Sequence, residues 1–164
     1  MRYFTIVSKY LDKGINIPKR STKASAGYDI ESAKDVTISP GCTELIPTGL
    51  KVCMNDDEFL SIHVRSSVGI KRGLVLANCT GIIDSDYFNN PDNEGHILVA
   101  LKNTTHGKVS IKKGERIAQG VFQKYLVMEC DKECGGARTG GIGSTGRYYK
   151  QGGTVKLEKG KWEQ

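Results

Sequence analysis

Proline is scarce in this chain, four in 164 residues. Long runs with the 3.6-residue apolar period of an amphipathic helix are equally hard to find, so a mostly β chain with many tight turns is expected. No segment approaches the ~20 apolar residues of a membrane-spanning helix, and the apolar stretch between Arg2 and Lys9 is too brief for a signal-peptide core. The five cysteines, at 42, 53, 79, 130 and 134, are odd in number and lack C-x-x-C spacing. That disfavours a structural zinc site or a thioredoxin-like centre and suggests reduced, mostly buried thiols in a cytoplasmic protein.

Large basic clusters are missing as well. The formal net charge is +6, but the basic residues come singly or in pairs such as Lys71-Arg72 and Lys112-Lys113, interleaved with acids. A nucleic-acid surface usually concentrates its charge in one stripe, so neither nucleic acid nor membrane is an expected partner. A small anionic substrate suits the same charge without a broad patch.

What is present is a rhythm of short strands. A chain of this length forms one domain with a real core, burying roughly 70% of the surface its unfolded form exposes. Strand-like runs recur at Tyr3–Val7, Thr43–Ile46, Leu50–Met54, Phe59–Val64, Leu74–Leu76, His96–Leu101, Lys108–Ile111 and Ile117–Tyr125. Gly, Pro, Asn or Asp bound many of them, which suggests a β-sandwich or jelly roll without a second domain. Phe88 to Glu94, reading FNNPDNE, has the turn chemistry of a surface loop between two strands. From Glu133 the glycines crowd into CGGARTGGIGSTG, too flexible for a strand. The expected organisation is a β domain over 1–132, a Gly-rich arm over 133–146, and a basic polar tail over 147–164 whose role is obscure.

Several segments carry candidate chemistry. In Gly81-Ile82-Ile83-Asp84-Ser85-Asp86-Tyr87 a carboxylate stands at the lip of an apolar strand, where it can orient and deprotonate a water, and Tyr87 offers a flat ring to a sugar. An isolated strand end would read the same way. Arg65-Ser66-Ser67 followed by Val68-Gly69 supplies a charged fork and small donors suited to phosphate oxygens. A Ser-capped helix N-terminus would also explain it. Gly114-Glu115-Arg116-Ile117-Ala118-Gln119 reads as a turn entering a strand, and Asp29 in Ala26-Gly27-Tyr28-Asp29-Ile30 reads as a turn residue.

Taken in order, these segments and the Gly-rich arm resemble the five motifs of the trimeric dUTP pyrophosphatase (dUTPase) family, from about Lys19 to Gly146. SAGYDI at Ser25–Ile30 resembles the first, RSSVGIKRG from Arg65 the second and NCTGIIDSDY from Asn78 the third. GERIAQ from Gly114 resembles the fourth and RTGGIGSTG from Arg138 the fifth.

The resemblance implies an all-β jelly-roll homotrimer in which each site draws motifs from all three chains. It implies hydrolysis of dUTP to dUMP and pyrophosphate, which supplies dUMP for dTMP synthesis and keeps uracil out of DNA. Asp84 matches the general base for attack on the α-phosphorus. Tyr87 matches the ring that packs on deoxyribose and leaves no room for a 2′-hydroxyl. Asn78 with the backbone of Gly81, Ile82 and Ile83 matches the hairpin that reads the uracil edge. Arg65, Ser66, Ser67 and Gln119 match phosphate contacts. Asp29 matches the carboxylate that holds magnesium (Mg2+) through a water, the metal being bound mainly by the phosphates. The arm is similar to a mobile tail that closes over the nucleotide, with Arg138 toward the γ-phosphate, Ile142 over the base, Ser144 and Thr145 toward the phosphate chain, and Gly143 among the substrate-binding residues.

The chain departs from the family pattern in places. Val64 stands where Pro is usual, Ser67 where Gly is frequent, and Gly69 where Ala is common. Ile142 replaces the aromatic that stacks on uracil, giving an aliphatic cover, and the 88–94 loop lengthens the usual hairpin. The enzymatic rival is dCTP deaminase, which shares the fold, but its catalytic Glu aligns with Ala100 here. A second rival is a dUTPase-fold protein acting mainly by binding a regulatory protein partner through FNNPDNE or the tail. The intact set of Asp84, Arg65 and Arg138 argues for activity.

Overall fold

The computed structural model describes residues 1–129 together with 140 and 141. Eleven strands and one α-helix occur in that span, besides two 3-10 turns: β1 (Tyr3–Ile6), β2 (Tyr28–Glu31), β3 (Val36–Ile38), β4 (Thr43–Pro47), β5 (Leu50–Cys53), β6 (Glu58–Val64), α1 (Ser66–Arg72), β7 (Leu74–Leu76), β8 (Gly81–Asp84), β9 (Leu98–Asn103), β10 (Val109–Ile111) and β11 (Arg116–Lys124). Every pairing is antiparallel, in sheets ordered β2-β11-β6-β8, β4-β9-β7, β1-β5 and β10-β3. This is the jelly-roll architecture the strand rhythm pointed to.

Side-chain alternation explains the layering. In β9 Val99, Leu101 and Asn103 turn inward while Leu98, Ala100 and Lys102 are more open, the period of two expected for a strand with one buried face. Ile30, Ile38, Leu50, Leu60, Leu101 and Ile111 come from all four sheets and meet in one core cluster, each almost fully shielded. Burial of each such side chain contributes about 1.5–3 kcal/mol. In β11 the register against β2 slips between Arg116 and Ala118, and Ile117 and Ala118 are both buried at that bulge. The slip allows two consecutive residues to serve the core.

Two expectations are corrected. Cys42 and Cys79 are exposed and Cys53 is half-buried, so the described thiols are not core residues. All three stand at or beside strand ends, where the inward-outward alternation gives way to turns. Asp29 belongs to a strand, not a turn, because β11 supplies β2 with a complete ladder partner. Among the described residues no helix is long and apolar enough to cross a membrane.

Candidate active site

Three of the motif segments converge at one end of the four-stranded sheet. Asp29 lies opposite Gln119 on β11, and Gln119 lies opposite His63 on β6, so the three share a row across the sheet. Two residues beyond His63, β6 has ended and Arg65 begins the turn into α1. Its guanidinium Nε pairs with Asp29 Oδ1 at 2.9 Å. Arg116 Nη1 donates to Asp29 Oδ2 at 3.1 Å, and Ser21 Oγ donates to the same oxygen at 2.8 Å. Gly27 leaves room for Gln119 beside it: a methyl there would collide with the Gln119 side-chain oxygen and stand 3.1 Å from its Cβ.

Ser66 and Ser67 are exposed on the first turn of α1, beside Arg65. Neither caps the helix. The N-cap is Arg65, without a side-chain cap bond, and Ser66 is already the first helical residue. The Ser-capped reading is therefore withdrawn, and both exposed serines stand next to a guanidinium.

The third segment sits elsewhere. Asn78 is exposed in the turn between β7 and β8, where Cys79 adopts a left-handed conformation with φ of 62°. β7 pairs with β9 and β8 with β6, so this turn is a corner between two sheets and not the tip of a hairpin. β8 ends its sheet, which turns one edge of the Gly81–Ile83 backbone away from β6. An outer strand edge offers N–H and C=O groups in the alternating order that reads a base edge. Ile82 is largely exposed, Ile83 packs against the core, and the half-buried Asp84 closes the strand opposite Phe59.

Tyr87 follows in a short 3-10 turn, Ser85–Tyr87, and is 7% exposed. Its hydroxyl donates to the His96 carbonyl at 3.1 Å and accepts from Asn93 Nδ2 at 2.8 Å. His96 is itself held neutral: burial lowers its pKa to about 4, and Gly49 N–H donates to Nε2 at 2.9 Å. Arg138, Ile142, Gly143, Ser144 and Thr145 lie outside the described residues. Of the arm, Gly140 is buried, and a methyl on Gly141 would stand 2.9 Å from the Tyr87 hydroxyl of the same chain.

Along β6 the two groups are far apart. Asp84 is level with Phe59, whereas Arg65 lies six residues further on, a separation of about 20 Å at the usual strand rise. One chain thus sets Asp84 and Arg65 toward opposite ends of β6.

Sequence reasoning overlooked Arg116 and Ser21 as partners of Asp29. Arg116 was visible inside GERIAQ, three residues before the Gln119 already singled out. Ser21 is joined to Asp29 only by folding. Among the described residues no cluster of three or more His, Cys, Asp or Glu could cage a metal. Asp29, flanked by two guanidinium groups, suits an indirect contact with a hydrated cation better than direct ligation. Ala100, on β9 opposite Leu45, leaves the deaminase position without a carboxylate.

Comparison with known proteins gives this geometry a context. The dUTPase family model matches residues 13–146. The deoxyuridine 5′-triphosphate nucleotidohydrolase of Lactococcus lactis subsp. lactis is 55% identical over 150 residues, covering 89% of this chain and 98% of the relative. The crystal structure of dUTPase from Streptococcus mutans superposes with a TM-score of 0.74 at 45% identity, covering 77% of this chain and 98% of that one. A dUTPase from phage phi11 of S. aureus shares the fold, with a TM-score of 0.68 at 23% identity over 82% of this chain and 97% of that one. A point mutant of that phage enzyme is described as coordinating a structural Mg(II) ion. With the family model spanning most of its length, this chain belongs to the dUTPase family.

Proposed function

We infer that the protein is a dUTP diphosphatase that hydrolyses dUTP to dUMP and pyrophosphate. The observation that carries this reading is the cluster of Asp29, Arg65 and Arg116 beside Gln119, in a chain that matches the dUTPase family over residues 13–146. Asp84 orients and deprotonates the water that attacks the α-phosphorus. The outer edge of β8 at Gly81–Ile83, with Asn78, pairs with uracil. The Tyr87 ring lies against the sugar and excludes a 2′-hydroxyl. Arg65, Ser66, Ser67 and Gln119 bind phosphate oxygens, and pairing Arg65 with Asp29 through Nε leaves its terminal nitrogens uncommitted to that carboxylate.

Magnesium, when bound with the triphosphate, neutralises phosphate charge, and Asp29 holds it through a water. The arm over 133–146 closes the site: Arg138 meets the γ-phosphate, Ile142 covers the base, Ser144 and Thr145 hold the phosphate chain, and Gly143 is among the substrate-binding residues. Closure excludes water and completes the site. Asp84 and Arg65 of one chain are about 20 Å apart along β6, which supports a site shared between copies in a homotrimer. Such an enzyme works in a reducing cytoplasm.

Incubation with each deoxynucleoside triphosphate and with UTP, in the presence of magnesium, tests the reading by product analysis. dUMP and pyrophosphate from dUTP, with little action on dCTP, dTTP or UTP, is the expected result. Ammonia released from dCTP, or comparable turnover of UTP, would overturn it.

A further inference from the structure

The 88–94 loop has the turn chemistry of a surface segment, yet two of its side chains, Asn90 and Asn93, point back at Tyr87. Asn90, 4% exposed, donates through Nδ2 to the Tyr87 carbonyl at 2.9 Å and to Asn93 Oδ1 at 2.9 Å. Its own Oδ1 accepts from the backbone N–H groups of Asp92 and Asn93 at 3.1 Å each. Asn93 Oδ1 also accepts from Gly95 N–H at 3.1 Å, which leaves Nδ2 to donate to the Tyr87 hydroxyl at 2.8 Å. Both amides are fully oriented by these partners, since each oxygen takes donors and each nitrogen faces acceptors.

The loop is itself tied down. Glu94 accepts from Ser8 N–H and from Lys51 Nζ, and Lys51 Nζ also reaches Asn89 Oδ1 at 2.7 Å. One tyrosine is thus gripped at its backbone carbonyl by Asn90 and at its hydroxyl by Asn93. Two fixed ends set the direction of the ring axis between them.

We propose that Asn93, seated by Asn90, is a positioning residue for sugar discrimination: it holds the Tyr87 hydroxyl and so fixes the ring that excludes a 2′-hydroxyl. The inference rests on the reading of Tyr87 given above. A surface loop with only a structural role would affect stability and leave the choice between dUTP and UTP unchanged. A positioning role affects that choice.

The test compares kcat/KM for dUTP and UTP, with melting temperature, in the full-length protein and its variants. Asn93→Ala raises UTP relative to dUTP about tenfold, the scale of one neutral hydrogen bond. Asn93→Asp, whose carboxylate can accept the Tyr87 hydroxyl proton in place of the His96 carbonyl, restores most of the discrimination. Tyr87→Phe deletes the same bond from the other side, together with the one to the His96 carbonyl; it relaxes discrimination at least as much as Asn93→Ala does and decides the case should that variant not fold. Tyr87→Ala separates the two levels of the argument. If it leaves discrimination intact, the reading of Tyr87 falls. If it relaxes discrimination while Asn93→Ala and Tyr87→Phe do not, Asn93 only builds the loop and the proposal falls alone.

Discussion

At the scale of single residues, catalysis and stability depend on different titrating groups. Asp84→Asn preserves the shape of the β8 lip but removes the base, so dUTP binding is retained while turnover falls about 10²–10⁴-fold. Comparing a binding isotherm with single-turnover rates checks this, and near-normal hydrolysis would assign the base elsewhere. His96 governs pH sensitivity instead. Its ring is buried and accepts a backbone hydrogen bond, so its folded pKa, about 4, lies below the ordinary 6.5. The unfolded chain takes up the proton first. Stability is complete above about pH 6.5 and declines as pH falls toward 4, by about 2 kcal/mol between pH 7 and 5. Urea denaturation at both pH values measures the difference. In His96→Gln, whose side-chain oxygen accepts the same Gly49 N–H, that slope should flatten.

At the scale of elements, the Gly-rich arm is the part whose role is read most directly from chemistry. If Arg138 meets the γ-phosphate as proposed, it holds a group that departs in pyrophosphate, and its contact strengthens as charge builds on the leaving oxygens. Truncation before Arg138 should leave a folded protein that binds dUMP but turns over dUTP about 10²-fold more slowly. A full-length rate from the truncated protein would reduce the arm to a linker. The strands show which elements a sequence reveals. β6 and β11 are long and carry enough apolar residues to announce themselves, and each matches its expected run closely. β2 and β3, of four and three residues, fall outside the expected runs, and they are strands because β11 and β10 offer them ladders. The run expected from His96 begins at Leu98, because His96 turns its ring to Gly49 and its carbonyl to Tyr87. Motif order exposed Asp29, Arg65 and Asp84 as site candidates. Their distribution over opposite ends of β6 is a matter of register, which no local pattern carries.

At the scale of the whole molecule, that register makes a sharp demand. If the Asp84 of one chain works on a phosphate held by the Arg65 of another, then loss of either residue disables different halves of different sites. Asp84→Asn and Arg65→Ala should each be nearly inactive alone. Co-refolded at equal amounts, they form mixed trimers in which some sites draw an intact Asp84 from one variant and an intact Arg65 from the other. Random assembly of a symmetric oligomer makes roughly a quarter of the sites whole, so the mixture should recover roughly a quarter of the wild-type rate. Were both residues supplied by one chain, every site would carry a defect and no mixing ratio would help. The measurement is dUTP turnover against mixing ratio, with light scattering to confirm the trimer mass. Recovery that peaks at equal amounts establishes the shared site. A flat line at the background of the two parents, in a preparation shown to contain mixed trimers, would mean that one chain brings Asp84 and Arg65 together by a rearrangement of β6 and β8.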